Sequence, residues 1–190
     1  MSGVHDPYVL PEGLPVPEDD GGADHLPGLE IPNLVLPSSQ GPVDLAELAA
    51  GRLVLYVYPR AGRPGVPMVA GWDEIPGARG CTPQSCGFRD HAAELEALAA
   101  RVAGLSAQSL EDQIEFAERN RIPYPVISDE WLEVERWLGL PTFDIEGMTL
   151  YKRLALVAER GRIVKVFYPV FPPDRNAEEV VAWLTQARAG

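Results

Sequence analysis

"RLVLYVYP", residues Arg52 to Pro59, is an unbroken run of apolar, β-branched and aromatic side chains closed by a proline. A strand with one wet face alternates polar and apolar residues, whereas a strand covered on both faces reads as continuous apolar sequence. The run therefore predicts a central strand buried on both sides. Downstream, "VAGLSAQ" (102–108) and "YPVISD" (124–129) are two further short strands bounded by turn residues. Apolar residues recur at helical spacing in "FRDHAAELEALAARV" (88–102), where Phe88, Ala92, Leu95, Leu98, Ala99 and Val102 share one face.

The pattern continues to the C-terminus. "SLEDQIEFAERNRI" (109–122) predicts a helix with Ser109 as N-cap and Asp112 completing a capping box. "DEWLEVERWLGL" (129–140) is a short helix stopped by Gly139 and Pro141. "RLALVAERGRIVKVFYPV" (153–170) is a hairpin turning at Arg160–Gly161, and "DRNAEEVVAWLTQAR" (174–188) a closing helix with Val180, Val181 and Leu184 buried. Trp131, Trp137 and Trp183 are expected in core or partial-core packing on these helices. Upstream, "LEIPNLVL" and "PVDLAEL" flank the turn "PSSQG" and predict an amino-terminal hairpin. Strand–helix alternation with a terminal hairpin and a last helix predicts an α/β fold of thioredoxin-like class, a central mixed sheet flanked by helices.

Two stretches break the pattern. Residues 1–28 are rich in Pro, Gly and Asp and read as an acidic arm, mobile or laid over a domain spanning 29–190. Residues 61–76 lie in a Gly/Pro-dense loop long enough to be functional or mobile, with Trp72 as a lid or a hydrophobic plug.

Composition narrows the function. The net charge is −12, and nine of the 28 acids precede Arg52 while no Lys or Arg does. That disfavours nucleic acid and anionic membranes, which need a basic footprint. No apolar run reaches the ~20 residues of a membrane span, and no basic, apolar leader opens the chain. A cytoplasmic protein is the expectation, where a cysteine pair is more often catalytic or metal-binding than structural.

Both cysteines lie in "GARGCTPQSCGFRD", Gly77 to Asp90. Zinc would need two more ligands, and His5, His25 and His91 show no ligand spacing. A Cys–His hydrolase has only His91 near Cys86 to offer. Thr82 and Pro83 read as N-cap and first residue of a helix. Cys81 then faces unpaired backbone N–H groups at a helix N-terminus, with Arg79 close by, which favours a thiolate able to attack an O–O bond. The resulting sulfenic acid condenses with a thiol, and Cys86 is the only other one. Five helical residues separate the two by ~7.5 Å of rise and ~140° of turn, too far for a disulfide unless the first turn unwinds.

"YVYP", "GCTPQSCGFRD", "GLSAQ", "PVISD" and "YKRLALV", in that order, resemble the peroxiredoxins of PrxQ type, also called bacterioferritin-comigratory proteins, within the AhpC/TSA group. The resemblance runs from about Leu29 to the C-terminus. It implies a thioredoxin-fold peroxidase, with hydrogen peroxide or alkyl hydroperoxides as substrate and thioredoxin or a similar dithiol as reductant. It implies no metal, flavin or haem, and a monomer or homodimer. Cys81 would be peroxidatic, Cys86 resolving, and Arg153 of "YKRLALV" the arginine that holds thiolate and peroxide. Pro59, Thr82 and Arg79 are the expected substrate-binding residues. The family's hydroxyl three residues before the peroxidatic cysteine is replaced by Ala78, and the residue two after Pro59 is Ala61, so Thr82 is the candidate substitute. Two rivals stand beside this reading: a thiol–disulfide oxidoreductase acting on proteins, and a redox sensor without turnover.

Overall fold

The structure, a computed structural model, describes residues 6–189; the first five residues of the arm, with His5, lie outside the described residues. The elements run β1 (Val35–Leu36), β2 (Val43–Asp44), α1 (Leu45–Leu48), β3 (Arg52–Val57), α2 (Cys81–Asp90), α3 (Ala92–Ala97) and β4 (Ala100–Ser106). After them come α4 (Leu110–Asn120), β5 (Val126–Ser128), α5 (Glu133–Leu138), β6 (Thr142–Ile145), β7 (Met148–Tyr151), β8 (Leu154–Glu159), β9 (Arg162–Phe167) and α6 (Asn176–Ala189). The main sheet has the order β5-β4-β3-β8-β9. β3, β4 and β5 are parallel, and β8 and β9 run antiparallel to their neighbours. The apolar run 52–59 is the middle strand, as its composition requires.

Alternation along β3 divides the core in two. Leu53, Leu55 and Val57 face one layer with Leu105, Ile127 and Leu156. Val54, Tyr56 and Tyr58 face the other with Phe88, Phe116 and Leu184. Tyr56 stacks on Phe88 with ring centroids 4.6 Å apart, which seats α2 on the sheet; truncating so buried an aromatic costs about 3–5 kcal/mol. At the β8–β9 turn both Arg160 and Gly161 have positive φ, 51° and 80°, the backbone of a type I′ hairpin.

Several sequence expectations change. The helix expected over 88–102 is two helices, α2 and α3, broken at His91, and its last residues belong to β4. Consecutive helical segments with matching apolar spacing look continuous until tertiary pairing claims the end of one. The amino-terminal hairpin is real but tiny, with two-residue strands, because Asp44 caps α1 instead of extending the ladder. Ser109 does accept from Asp112 N at 3.2 Å, but the Asp112 carboxylate pairs with Arg63 at 3.0 Å. The hairpin β6–β7 was not legible at all. Trp131 and Trp137 are 74% and 67% exposed, so neither is core; Trp183 is partly buried against Phe167. Trp72 is a plug, buried against Phe143 and beside Ala78 and Leu150. The arm lies on the domain, and Ala23 and Leu26 enter the core.

Candidate active site

α2 begins two residues earlier than its sequence suggests. Gly80, at φ 105°, is the N-cap, Cys81 the first helical residue, and Gln84 N donates to Gly80 O at 3.1 Å. Thr82 is therefore not the cap, and Pro83 is the third helical residue, where its missing N–H still costs nothing. Gly80 is obligatory here: besides its positive φ, a Cβ would run into Pro173 and Leu10.

This start puts the Cys81 sulfur inside the protein, 4% exposed, against Arg153. Arg153 leaves β7 just before β8 and is itself 3% exposed. Its Nη2 donates to Cys81 Sγ at 3.2 Å, to Ala78 O at 2.9 Å and to Arg79 O at 3.2 Å. Nε reaches Gly77 O at 3.2 Å, and Nη1 reaches Gln84 Oε1 at 2.6 Å. A guanidinium only donates, so Gln84 must turn its carbonyl toward it. The Gln84 amide then donates to Asn176 Oδ1 at 3.0 Å. No carboxylate pairs with Arg153 among the described residues.

Cys86, half-buried on the next turn, has Sγ 3.8 Å from Asn120 Oδ1. Burial pushes its thiol up from the ordinary range, partly offset by Arg89 and reinforced by Asp90. Arg89 Nη1 donates to Asn120 O at 2.8 Å, and Tyr124 Oη to Ser85 O at 3.1 Å. These contacts fasten the middle and the C-terminal end of α2 to the end of α4 and the chain after it. Burial raises the Tyr56 and Tyr124 phenols, so both are neutral here. Both cysteines are free thiols.

Cys81 borders a cleft of about 10 Å³ whose walls also include Pro7, Arg60, Trp72, Gly80 and Thr82. Thr82 Oγ1 is buried there without a hydrogen-bond partner among the described residues. A larger cavity, about 330 Å³, is lined by Pro59, Ile75, Gly77, Phe143, Arg153 and Val170 among others, but not by Cys81. The sequence candidates thus divide. Cys81, Arg153 and Thr82 come together, whereas Pro59 lines the neighbouring cavity. Arg79 borders the small cleft but spends its guanidinium on Asp73 at 2.9 Å and on the arm carbonyls of Asp6 and Val9. His91 is engaged with Gly87 O at 2.9 Å and Glu94 at 3.9 Å. The described residues hold no cluster of three or more metal-ligating side chains.

Sequence reasoning missed Gln84, Asn176, Arg60 and Pro7. Gln84 sits one turn after Cys81, and i, i+3 spacing puts the two on one face; that signal was available. Asn176 and Pro7 arrive through tertiary packing, which no local pattern encodes.

A buried thiol at a helix N-terminus, bound by a buried guanidinium on a five-stranded mixed sheet, defines a thiol-based redox protein of thioredoxin-like fold. Comparison sharpens that class. The family model described as Redoxin matches residues 26–181. The chain is 31% identical over 159 residues to peroxiredoxin Q, chloroplastic, of Sedum lineare, covering 83% of this chain and 76% of that one. It is 28% identical to the Arabidopsis thaliana peroxiredoxin Q, covering 84% and 67%. Against solved structures, the peroxidoxin BcpB of Mycobacterium tuberculosis superposes with a TM-score of 0.68 at 28% identity, over 85% of this chain and 97% of that one. Peroxiredoxin Q of Xanthomonas campestris shares the fold at TM-score 0.66 and 23% identity, over 85% and 98%. The chain belongs to the redoxin family and is a peroxiredoxin of the Q type.

Proposed function

We propose that the protein reduces hydrogen peroxide and alkyl hydroperoxides with Cys81 as the attacking thiol and Cys86 as the resolving thiol. The observation that carries the reading is the 3.2 Å contact between Arg153 Nη2 and Cys81 Sγ, both groups buried. A buried cation without a carboxylate partner is costly, and the sulfur is positioned to supply its counter-charge.

Attack by the Cys81 thiolate on the O–O bond transfers OH to sulfur and expels alkoxide or hydroxide, which takes up a proton. The sulfur is oxidised to sulfenic acid and the peroxide is reduced. Arg153 and the N–H groups of the first turn of α2 stabilise the charge that passes from sulfur to the leaving oxygen. The Cys86 thiol then displaces hydroxide from the sulfenic sulfur, forming a disulfide and releasing water. Both sulfurs sit on one helix, so α2 unwinds for the bond to close, and the cycle needs no second chain. A thioredoxin-type dithiol reduces the disulfide by exchange, and a reducing cytoplasm is the setting that supplies it. Thr82 Oγ1, without a partner inside the cleft, offers the peroxide a hydrogen bond where the sequence has lost the usual hydroxyl.

Steady-state NADPH oxidation with thioredoxin, thioredoxin reductase and hydrogen peroxide tests the proposal, with mass-spectrometric mapping of the disulfide. Turnover that vanishes in Cys81→Ser, with a Cys81–Cys86 bond in the oxidised wild type, supports it. A single oxidation without cycling, or faster reaction with protein disulfides than with peroxide, overturns it.

A further inference from the structure

The N-terminal arm does more than lie on the surface. Pro7 is buried and forms part of the wall of the Cys81 cleft. The residues around it are fastened at two separate points. Arg79 Nη2 holds Asp6 O at 2.7 Å and Val9 O at 3.1 Å. On the other side Arg119 Nη1 donates to Tyr8 Oη at 3.0 Å, and its guanidinium lies 5.8 Å from the Tyr8 ring centroid. The same arginine donates to Gly62 O at 2.9 Å, and Gly62 is another wall of the cleft. Leu10 packs on Gly80, the N-cap from which Cys81 starts. Arm, cleft wall and helix start are therefore tied into one assembly around the sulfur.

The space left inside decides what that assembly does. A cleft of about 10 Å³ has room for roughly one water-sized group. A cleft of this size accommodates the two oxygens of hydrogen peroxide more readily than a branched or aromatic alkyl group. We infer that the segment Asp6–Leu10 is a size gate on the peroxidatic cleft, favouring hydrogen peroxide over bulky organic hydroperoxides until the arm lifts. The inference rests on Cys81 being the attacking thiol, and it adds a specificity determinant outside the thioredoxin-like core. The ties are a few exposed or half-exposed hydrogen bonds and one cation–π contact, each weak in water. Opening is thus accessible at ordinary temperature, and bulky substrates are slowed by the opening step.

The test uses the full chain with the double substitution Pro7→Gly, Tyr8→Ala, which removes the wall and the Arg119 anchor and leaves Cys81, Thr82 and Arg153 intact. Second-order rates are measured by stopped flow for hydrogen peroxide and for cumene hydroperoxide in the wild type and the variant. A rise of about tenfold in the cumene-to-hydrogen-peroxide ratio supports the gate. An unchanged ratio overturns it, as does loss of both activities in the variant, which would make the arm part of the reactive site. Failure of the wild type to react with any peroxide would instead refute the peroxidase reading, so the two failures are distinguishable.

Discussion

Arg153 presents its donors to four oxygens and one sulfur, and every one of those acceptors lies on α2 or on the four residues leading into it. The side chain therefore does two things at once: it shapes the loop 77–79 and offers charge to the sulfur. Replacing it by Met preserves much of the volume but removes the charge. Arg153→Met is expected to lower kcat/KM for hydrogen peroxide by about 10²–10³-fold, the usual loss when a transition-state donor is removed. A rate within threefold of wild type would show that the guanidinium is structural only. Cys86 supplies a second expectation with a definite sign. Burial favours its neutral form, and only the thiolate alkylates. Iodoacetamide should modify Cys86 slowly at neutral pH, with a rate that climbs only above the ordinary thiol range, about pH 8.5. Peptide mapping after timed alkylation of Cys81→Ser checks this, and fast labelling of Cys86 at pH 7 would contradict it.

In the proposed cycle α2 is the element that matters most, because it would have to hold Cys81 in place and then let go. Its middle is pinned by Tyr124 Oη on Ser85 O and its C-terminal end by Arg89 on Asn120 O. Removing one such bond costs about 1 kcal/mol, a factor of about five in the population of the unwound form. Tyr124→Phe is expected to speed disulfide formation about fivefold while leaving the initial reaction with peroxide unchanged, read as the slow and fast phases of stopped-flow fluorescence. An unchanged slow phase would mean that helix opening is not limiting. The same element shows how far sequence reading reaches. Arg52–Pro59 announced the central strand through composition alone, and the helix after the long loop followed from Pro83 and the apolar face that includes Phe88. The true cap, Gly80, was hidden: the pressure of Leu10 and Pro173 on that position comes from segments some seventy and ninety residues away. β6–β7 was hidden for a different reason, since its side chains are mostly half-exposed and carry no continuous apolar signal. Trp131 and Trp137 misled because a tryptophan on an amphipathic helix is normally buried, whereas here Trp137 on α5 and Trp131 in the turn before it are both exposed. Arg153 was marked only by family resemblance; nothing in "YKRLALV" itself distinguishes a buried cation from a surface one.

On the scale of the whole molecule, an ion pair ties the arm to the chain just before Arg153. The acids that precede Arg52 include Asp20, whose carboxylate accepts from Lys152 Nζ at 2.6 Å and Tyr168 Oη at 2.7 Å. Lys152 adjoins Arg153 in sequence, so this bond anchors the arm one residue from the guanidinium that contacts Cys81. The hydrogen bond from Lys152 chiefly, then those from Tyr168 and from Gly22 N, hold the Asp20 carboxyl well below the usual carboxylate range. Detached or unfolded, Asp20 titrates near 4. A group depressed on folding stabilises the folded form fully above its unfolded value and loses that contribution as pH falls toward the folded one. The pair is largely exposed, so solvent and salt keep its worth small. The stability difference between wild type and Asp20→Asn should therefore be present at pH 6 and low salt, and shrink progressively as pH falls below about 4. Thermal melts of both proteins across that range measure it. A gap between the two melting temperatures that stays constant from pH 6 to pH 3 would show that the Asp20 charge does not hold the arm.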